Sequence, residues 1–419
     1  MSRVKLKQPI LGIDQLSDEV SLMGDSRQGI TAIREATNVD IDTKGNLSRR
    51  KGYTKVLAGS GYHSLYKSAR GWLMLCHGSD LGIYDTTTDT LGVLTTMSEN
   101  YLTSFTELNN NMYFVNPGYK GMIFGTEIVV RTLGVPLPSV TPAFAGVTPG
   151  GFEAGTYAIT YSVVNDLGEE SALGPVATIT FTEPSSIQGT LFMTLSGWKY
   201  RIYMTTVDGD ELYQAAEFDA DRVSFLIADH DLGRQPRTQF LEPLPFGYLI
   251  TSHTSRLFIA TTNFVYYSEP FLPHLTNAVH NFLPCTGFVT MVQSVNAGLF
   301  IGDQAGVRFY KGDDPVAFEV TNVSTEIPIF GSAVSVPGEY LSAELGKSDI
   351  AVIWLTSSGY HVGLETGEVV RLHTQQVQLP KYVQGCTAFA IQDGRKQVIT
   401  PVNSNLLAGA SVALDSTIG

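Results

Sequence analysis

Residues Gly298 to Tyr310 read GLFIGDQAGVRFY. A short apolar run, Leu299-Phe300-Ile301, enters the polar turn Asp303-Gln304-Ala305-Gly306, and Val307-Arg308-Phe309-Tyr310 leaves it. An apolar run, a Gly/Asp turn and an aromatic second run predict a β-hairpin. The first run is nearly all apolar, as in a strand covered on both faces. The unit recurs. Gly71–Cys76 turns at His77–Asp80 into Leu81–Tyr84; Asn111–Val115 turns at Asn116–Gly118 into Met122–Phe124; Arg256–Ala260 turns at Thr261–Asn263 into Val265–Ser268; Ala351–Leu355 turns at Ser357–Gly359 into Tyr360–Val362. Leu73 and Tyr113 stand 40 residues apart, Leu257 and Leu299 stand 42 apart. Hairpin units at a period of about 40 residues predict propeller blades of about four strands. The step from Leu299 to Ile353 is longer, which predicts a long loop, and the step from Tyr113 to Leu257 requires an inserted domain.

Pro136, Pro138 and Pro142 open that insertion and Glu242-Pro243-Leu244-Pro245 closes it, the prolines reading as linkers. Between them, Gly155 to Val164 alternates with Tyr157, Ile159 and Tyr161 on one face. Further strands are predicted at Ala177–Thr182 and Lys199–Met204. The expectation is an all-β chain: a β-propeller body with an inserted fibronectin III or immunoglobulin-like β-sandwich. Its parts are 1–135 (N-terminal segment and first blades), 136–245 (sandwich), 246–403 (remaining blades) and a small-residue tail, 404–419. Gly29 to Thr37, around Ala32-Ile33-Arg34-Glu35-Ala36, is expected to form one or two helical turns.

The composition agrees with a sheet protein. The chain has 419 residues, 41 glycines and only 16% charged residues, against a usual share of about 25%. No apolar run of about 18 residues predicts a membrane span, and the N-terminus lacks the apolar core of a signal peptide. Cys76, Cys285 and Cys386 read as small buried hydrophobes of a reducing compartment. The net charge of -13 argues against a basic face that wraps DNA. It leaves open a protein past which DNA slides, where a repulsive wall is useful.

Motifs with chemistry mostly fail on spacing. Gly24-Asp25-Ser26 resembles the nucleophile block of SGNH/GDSL esterases, but their C-terminal Asp-x-x-His is missing: Val370 precedes His373 at that distance, and Ser358 precedes His361. Gly346-Lys347-Ser348 would end a phosphate loop, yet Leu341 stands where glycine is needed. His230, His274 and His280 lack metal-ligand spacing and read as surface or turn residues. Asp80, Asp303, Asp313 and Asp314 sit in turns, where a propeller glycosidase would need paired carboxylates. No catalytic, metal or cofactor residue is assigned. Tyr157, Tyr161, Tyr200, Tyr203 and Tyr213 would serve a receptor- or glycan-binding role only if exposed, and sandwich core is the simpler reading.

The remaining oddity is Asn38 to Tyr53, NVDIDTKGNLSRRKGY. Asp40-x-Asp42-x-Lys44-Gly45 begins like a calcium loop, but Lys44 and Lys51 occupy ligand positions, so a hairpin turning at Gly45 is expected. Arg49-Arg50-Lys51 is a basic cluster in an acidic chain and is the candidate partner-docking segment. With Gly12-Ile13, Asp18 to Leu22, Arg34-Glu35-Ala36, Asn38 to Asp42, Gly45, Ser48-Arg49-Arg50 and Gly52-Tyr53, this N-terminal pattern resembles the tail hub, nozzle or DNA-stabilisation proteins of short-tailed bacteriophages. The resemblance implies a non-enzymatic virion protein, assembled in the host cytoplasm as a homo-oligomeric ring, a hexamer in the family. It further implies adaptor or head–tail connector proteins above, fibres or spikes as other neighbours, and DNA passing through the lumen without sequence recognition.

Overall fold

The computed structural model describes residues 14–15, 17–18, 32–35, 37–41, 46–50, 52, 54–125, 128–141, 143–190, 196–221, 224–229, 232–341, 348–372, 383–392 and 395–403. Among these the structure is β throughout, apart from two 3₁₀ turns at Pro315–Ala317 and Gly338–Tyr340. No helix among them is long and apolar enough to cross a membrane.

Five antiparallel four-stranded meanders recur along the chain. The first runs Tyr62–Lys67, Leu73–His77, Asp80–Asp85, Thr90–Thr96; the second Ser104–Leu108, Asn111–Asn116, Tyr119–Ile123, Val130–Thr132. The third runs Leu249–His253, Arg256–Ala260, Phe264–Tyr267, Phe282–Pro284; the fourth Met291–Val295, Gly298–Asp303, Gly306–Lys311, Glu319–Ser324; the fifth Val334–Pro337, Ile350–Thr356, Gly359–Gly363, Val369–Arg371. In each, the repeated apolar run is the second strand. Gly298–Asp303 is buried at all its positions, and Ala351 to Thr356 likewise. Burial on both faces is why these strands do not alternate. The turn of the fourth meander closes with Asp303 opposite Gly306. Gly306 sits at φ +116°, and a Cβ there would lie 2.2 Å from the Ser324 carbonyl oxygen, so the turn requires glycine.

The chain divides into two compact units, Met1–Thr103 with Cys285–Gly419, and Ser104–Pro284. In the second unit the first strands of the second and third meanders stand side by side: Ser252 Oγ donates to the Glu107 carbonyl at 2.8 Å and Ile250 N to Ser104 Oγ at 3.1 Å. Tyr113, Val115, Met122, Ile250, Leu257 and Ile259 form the core between them. In the first unit Ser335 Oγ meets Gln293 Oε1 at 3.0 Å across the first strands of the fifth and fourth meanders, and Phe300, Phe309 and Trp354 fill the space behind. Neighbouring first strands with hydrophobes packed face to face is blade-type packing.

The sandwich lies in the second unit. Ala143–Phe152, Ser185–Thr190 and Ser224–Ile227 form a three-stranded sheet; Ala177–Phe181, Gly155–Val164, Lys199–Thr205 and Leu212–Asp219 form a four-stranded one. Tyr157, Ile159, Tyr161 and Val163 point into a shared core with Phe152, Tyr200 and Ile202.

Three expectations need correction. Ala32 to Glu35 is not helical; the Ile33 carbonyl instead accepts from Asp14 N at 2.9 Å. So short a run cannot offset the cost of nucleating a helix. Glu242-Pro243-Leu244-Pro245 is no solvated linker: Glu242–Pro243 pairs with Leu275–Thr276, and Leu244 is buried in the core of the second and third meanders. Cys386 is exposed, while Cys76 is buried and Cys285 half-buried. The tail 404–419 lies outside the described residues.

Candidate functional site

The predicted docking segment forms a two-stranded ladder, Val39–Ile41 with Leu47–Arg49, in which Arg49 stands opposite Val39. Leu47, Ser48 and Arg49 are all exposed, as is Arg50, whose N–H donates to the Asn38 carbonyl at 3.0 Å. Lys51 lies outside the described residues, as do Asp42 to Gly45, Ser26, Gly346-Lys347, His230 and His373.

Other singled-out residues have structural partners. Tyr157, Tyr161, Tyr200 and Tyr203 are buried, and Tyr213 donates to Glu211 at 2.6 Å. Asp303 is buried beneath its turn, where it accepts from Ala305 N and Thr286 N at 2.8 Å each and pairs with Arg308. Asp80 accepts from Thr96 at 2.6 Å. Asp313 and Asp314 are exposed. His280 is exposed, but His274 is buried although it sits in a turn: its Nε2 donates to the Glu170 carbonyl at 2.9 Å. Burial pushes the thiols of Cys76 and Cys285 up, to about 11 and about 12, so neither supplies a thiolate at neutral pH.

A polar cluster that sequence reasoning did not predict lies between the fourth and fifth meanders. A cleft of about 510 Å³ is lined by Asn322, Ser324, Glu326, His361, Val369 and Arg371, among others. Glu326 is the hub. It accepts from Thr356 Oγ1 at 2.7 Å and from Ser358 Oγ, and it pairs with Arg371. Arg371 Nε donates to His361 Nε2 at 3.3 Å, and His361 Nδ1 faces the Gly359 carbonyl at 3.3 Å. This pattern assigns the proton to Nδ1 and makes Nε2 the acceptor. Burial holds the imidazole pKa below its usual 6.5, opposed by the Gly359 bond. Trp354 stacks on its face at 5.8 Å.

Chemically the cluster is a clamp rather than a relay. The lone pair that a general base would use is taken by Arg371, and the Ser358 hydroxyl is committed to Glu326, not to the imidazole. Its members come from three separated stretches, so spacing gave no signal of it. Among the described residues no group of three His, Cys, Asp or Glu is placed to hold a metal ion.

No protein-family model matches the chain, and no curated protein does. Several solved structures align with much of the chain at low identity. The extracellular domain of BT4673 from B. thetaiotaomicron is 9% identical with a TM-score of 0.32, covering 85% of this chain and 39% of that one. BBS1N in complex with ARL6DN is 10% identical with a TM-score of 0.33, covering 84% and 93%. Citrobacter koseri AztD is 8% identical with a TM-score of 0.27, covering 82% and 90%.

Proposed function

We propose that this chain is a structural protein of a bacteriophage tail, a hub or nozzle subunit that works by shape and stacking rather than by bond-making. The observation that supports it most is the run of five meanders whose covered strands hold hydrophobes, and whose polar groups, buried Asp303 and half-buried Glu326 foremost, are committed to bonds within the fold. The N-terminal resemblance gives that scaffold a setting. Copies close as a ring, six in the family, below the portal and adaptor, with fibres or spikes as further neighbours. The acidic balance of -13 gives a lumen along which DNA slides without being read. Arg49, Arg50 and Lys51 are the segment assigned to docking on an acidic adaptor. Reversing Arg49 and Arg50 to glutamate weakens adaptor attachment and leaves the fold intact; attachment equal to wild type would remove that assignment. A glycan-binding reading of the sandwich gains no support, because four of its five candidate tyrosines are core.

Antibody labelling of purified phage particles tests the placement. Label at the head–tail junction is expected, and particles that lack the chain altogether would refute the proposal.

A further inference from the structure

Phe240 is a misfit of the second unit. It is 81% exposed and held at φ +63°. It occupies the third position of a turn closed by Leu241 N donating to the Thr238 carbonyl at 3.2 Å, where a positive φ calls for glycine or asparagine. A bulky residue there is a backbone outlier, and an exposed phenylalanine adds a solubility cost. Glycine at this position would relieve both. The turn is therefore spending stability to present an aromatic ring, which is how strained positions at binding sites behave.

Its surroundings specify what it presents to. Between Gly233 and Leu241 the ionisable residues are Arg234 and Arg237, both exposed. Glu211 reaches the same loop through Gln235 at 3.1 Å and exposed Glu242 follows Leu241, while within the loop itself both ionisable side chains are arginines. Val279, 73% exposed, follows the Leu275–Thr276 strand that pairs with Glu242–Pro243, just beyond the Phe240 turn. Aromatic and arginine side chains together are the composition of interface hot spots.

The first unit carries the complement. Asp313 and Asp314 are exposed at the start of the Pro315–Ala317 turn, Val316 is 81% exposed and Val320, 53% exposed, follows Glu319. From Asp313 to Val320 every ionisable residue is acidic. One loop sets two arginines beside its exposed apolar residues, the other sets three acids beside its own, and both belong to one chain of net charge -13.

We propose that the Phe240–Arg234–Arg237 patch of one copy docks on the Asp313–Asp314–Val316 patch of the next. This rests on the ring reading above and names its subunit contact. Two different patches meeting make a heterologous contact, the kind that closes rings. Phe240 and Val316 form its apolar centre and the charges its rim, where pairing sets register and weakens with salt. The anchors supply only part of the roughly 800 Å² per partner that a stable interface buries, so flanking surface contributes the rest.

A charge swap tests it by sedimentation velocity of the full chain. Arg234→Glu with Arg237→Glu, and separately Asp313→Lys with Asp314→Lys, are each expected to weaken self-association about 10-fold or more. The combined variant is expected to return to within a few-fold of wild type, and Phe240→Ser to lose association without a change in circular dichroism. Reversals that associate like wild type, or a combined variant no better than either half, would overturn the contact while leaving the ring reading standing. A wild-type chain that stays monomeric at every concentration would overturn the ring reading and the contact with it.

Discussion

Replacing Gly363 by alanine probes how closely the fourth and fifth meanders fit. A Cβ added there would lie 2.7 Å from Phe300 Cζ and 2.9 Å from both Phe300 Cε2 and Trp354 Cζ3, closer than real Cβ contacts come. Neither ring has room to retreat: both are fully buried, and Phe300 is wedged 4.6 Å from Phe309 and 5.9 Å from Trp354. Overpacking of this kind costs about 1–3 kcal/mol. Relief of glycine's unfolded-state freedom returns about 0.5–1 kcal/mol, so a net loss of ~1–2 kcal/mol is expected. Phe300→Leu alone loses ~1–2 kcal/mol from the vacated ring volume. Together the new methyl occupies that volume, so the double variant should be more stable than the sum by at least ~1 kcal/mol. Urea unfolding followed by tryptophan fluorescence measures it, in a background with Trp72 and Trp198 replaced by phenylalanine so that Trp354 reports alone. An unchanged midpoint for Gly363→Ala, or strictly additive losses, would show that the two meanders are not packed as described.

The remaining expectations concern buried charge. Arg201, 13% exposed, bridges Glu170 and Glu217, and Glu170 also accepts from Tyr203 and Ser162 at 2.6 Å each. Arg201→Met should cost about 3 kcal/mol by stranding Glu170, and adding Glu170→Gln should recover part of it; a single variant as stable as wild type would mean the network is solvated. Burial depresses Lys120, whose ammonium bonds the Leu244 carbonyl, to about 8. The unfolded chain then holds the extra proton between about 8 and the usual 10.5, so stability should rise with pH across that window and the rise should vanish in Lys120→Met. His361 is likewise depressed, so its contribution is intact above 6.5 and lost as pH falls from there toward its folded value. His361→Gln should flatten that acid limb in a thermal-unfolding series, and an unaltered limb would exclude the imidazole as its source.

What was legible in the sequence was what both-sided burial forces. A strand covered on both faces must be apolar, and a tight return needs Asp or Gly, so Leu299 to Tyr310 and its four relatives could be seen directly. Tyr157, Ile159 and Tyr161 likewise announced a strand covered on one face. Outer strands escaped because solvent imposes no pattern on them: Glu319–Ser324, EVTNVS, is exposed over most of its length. Glu242–Pro243 looked like a linker because proline content says nothing about a pairing partner beyond Glu269. Glu326, His361 and Arg371 converge only through the packing of two meanders, which no local spacing encodes. Phe240 was hidden for the opposite reason: a positive φ is read from glycine, and here a bulky residue that seldom adopts it holds the position.

Class averages from electron microscopy of the purified chain bear most directly on the account. It predicts closed rings of a single rotational symmetry, with six copies the number implied by the resemblance. Isolated single copies at high concentration, or open filaments of indefinite length, would contradict it.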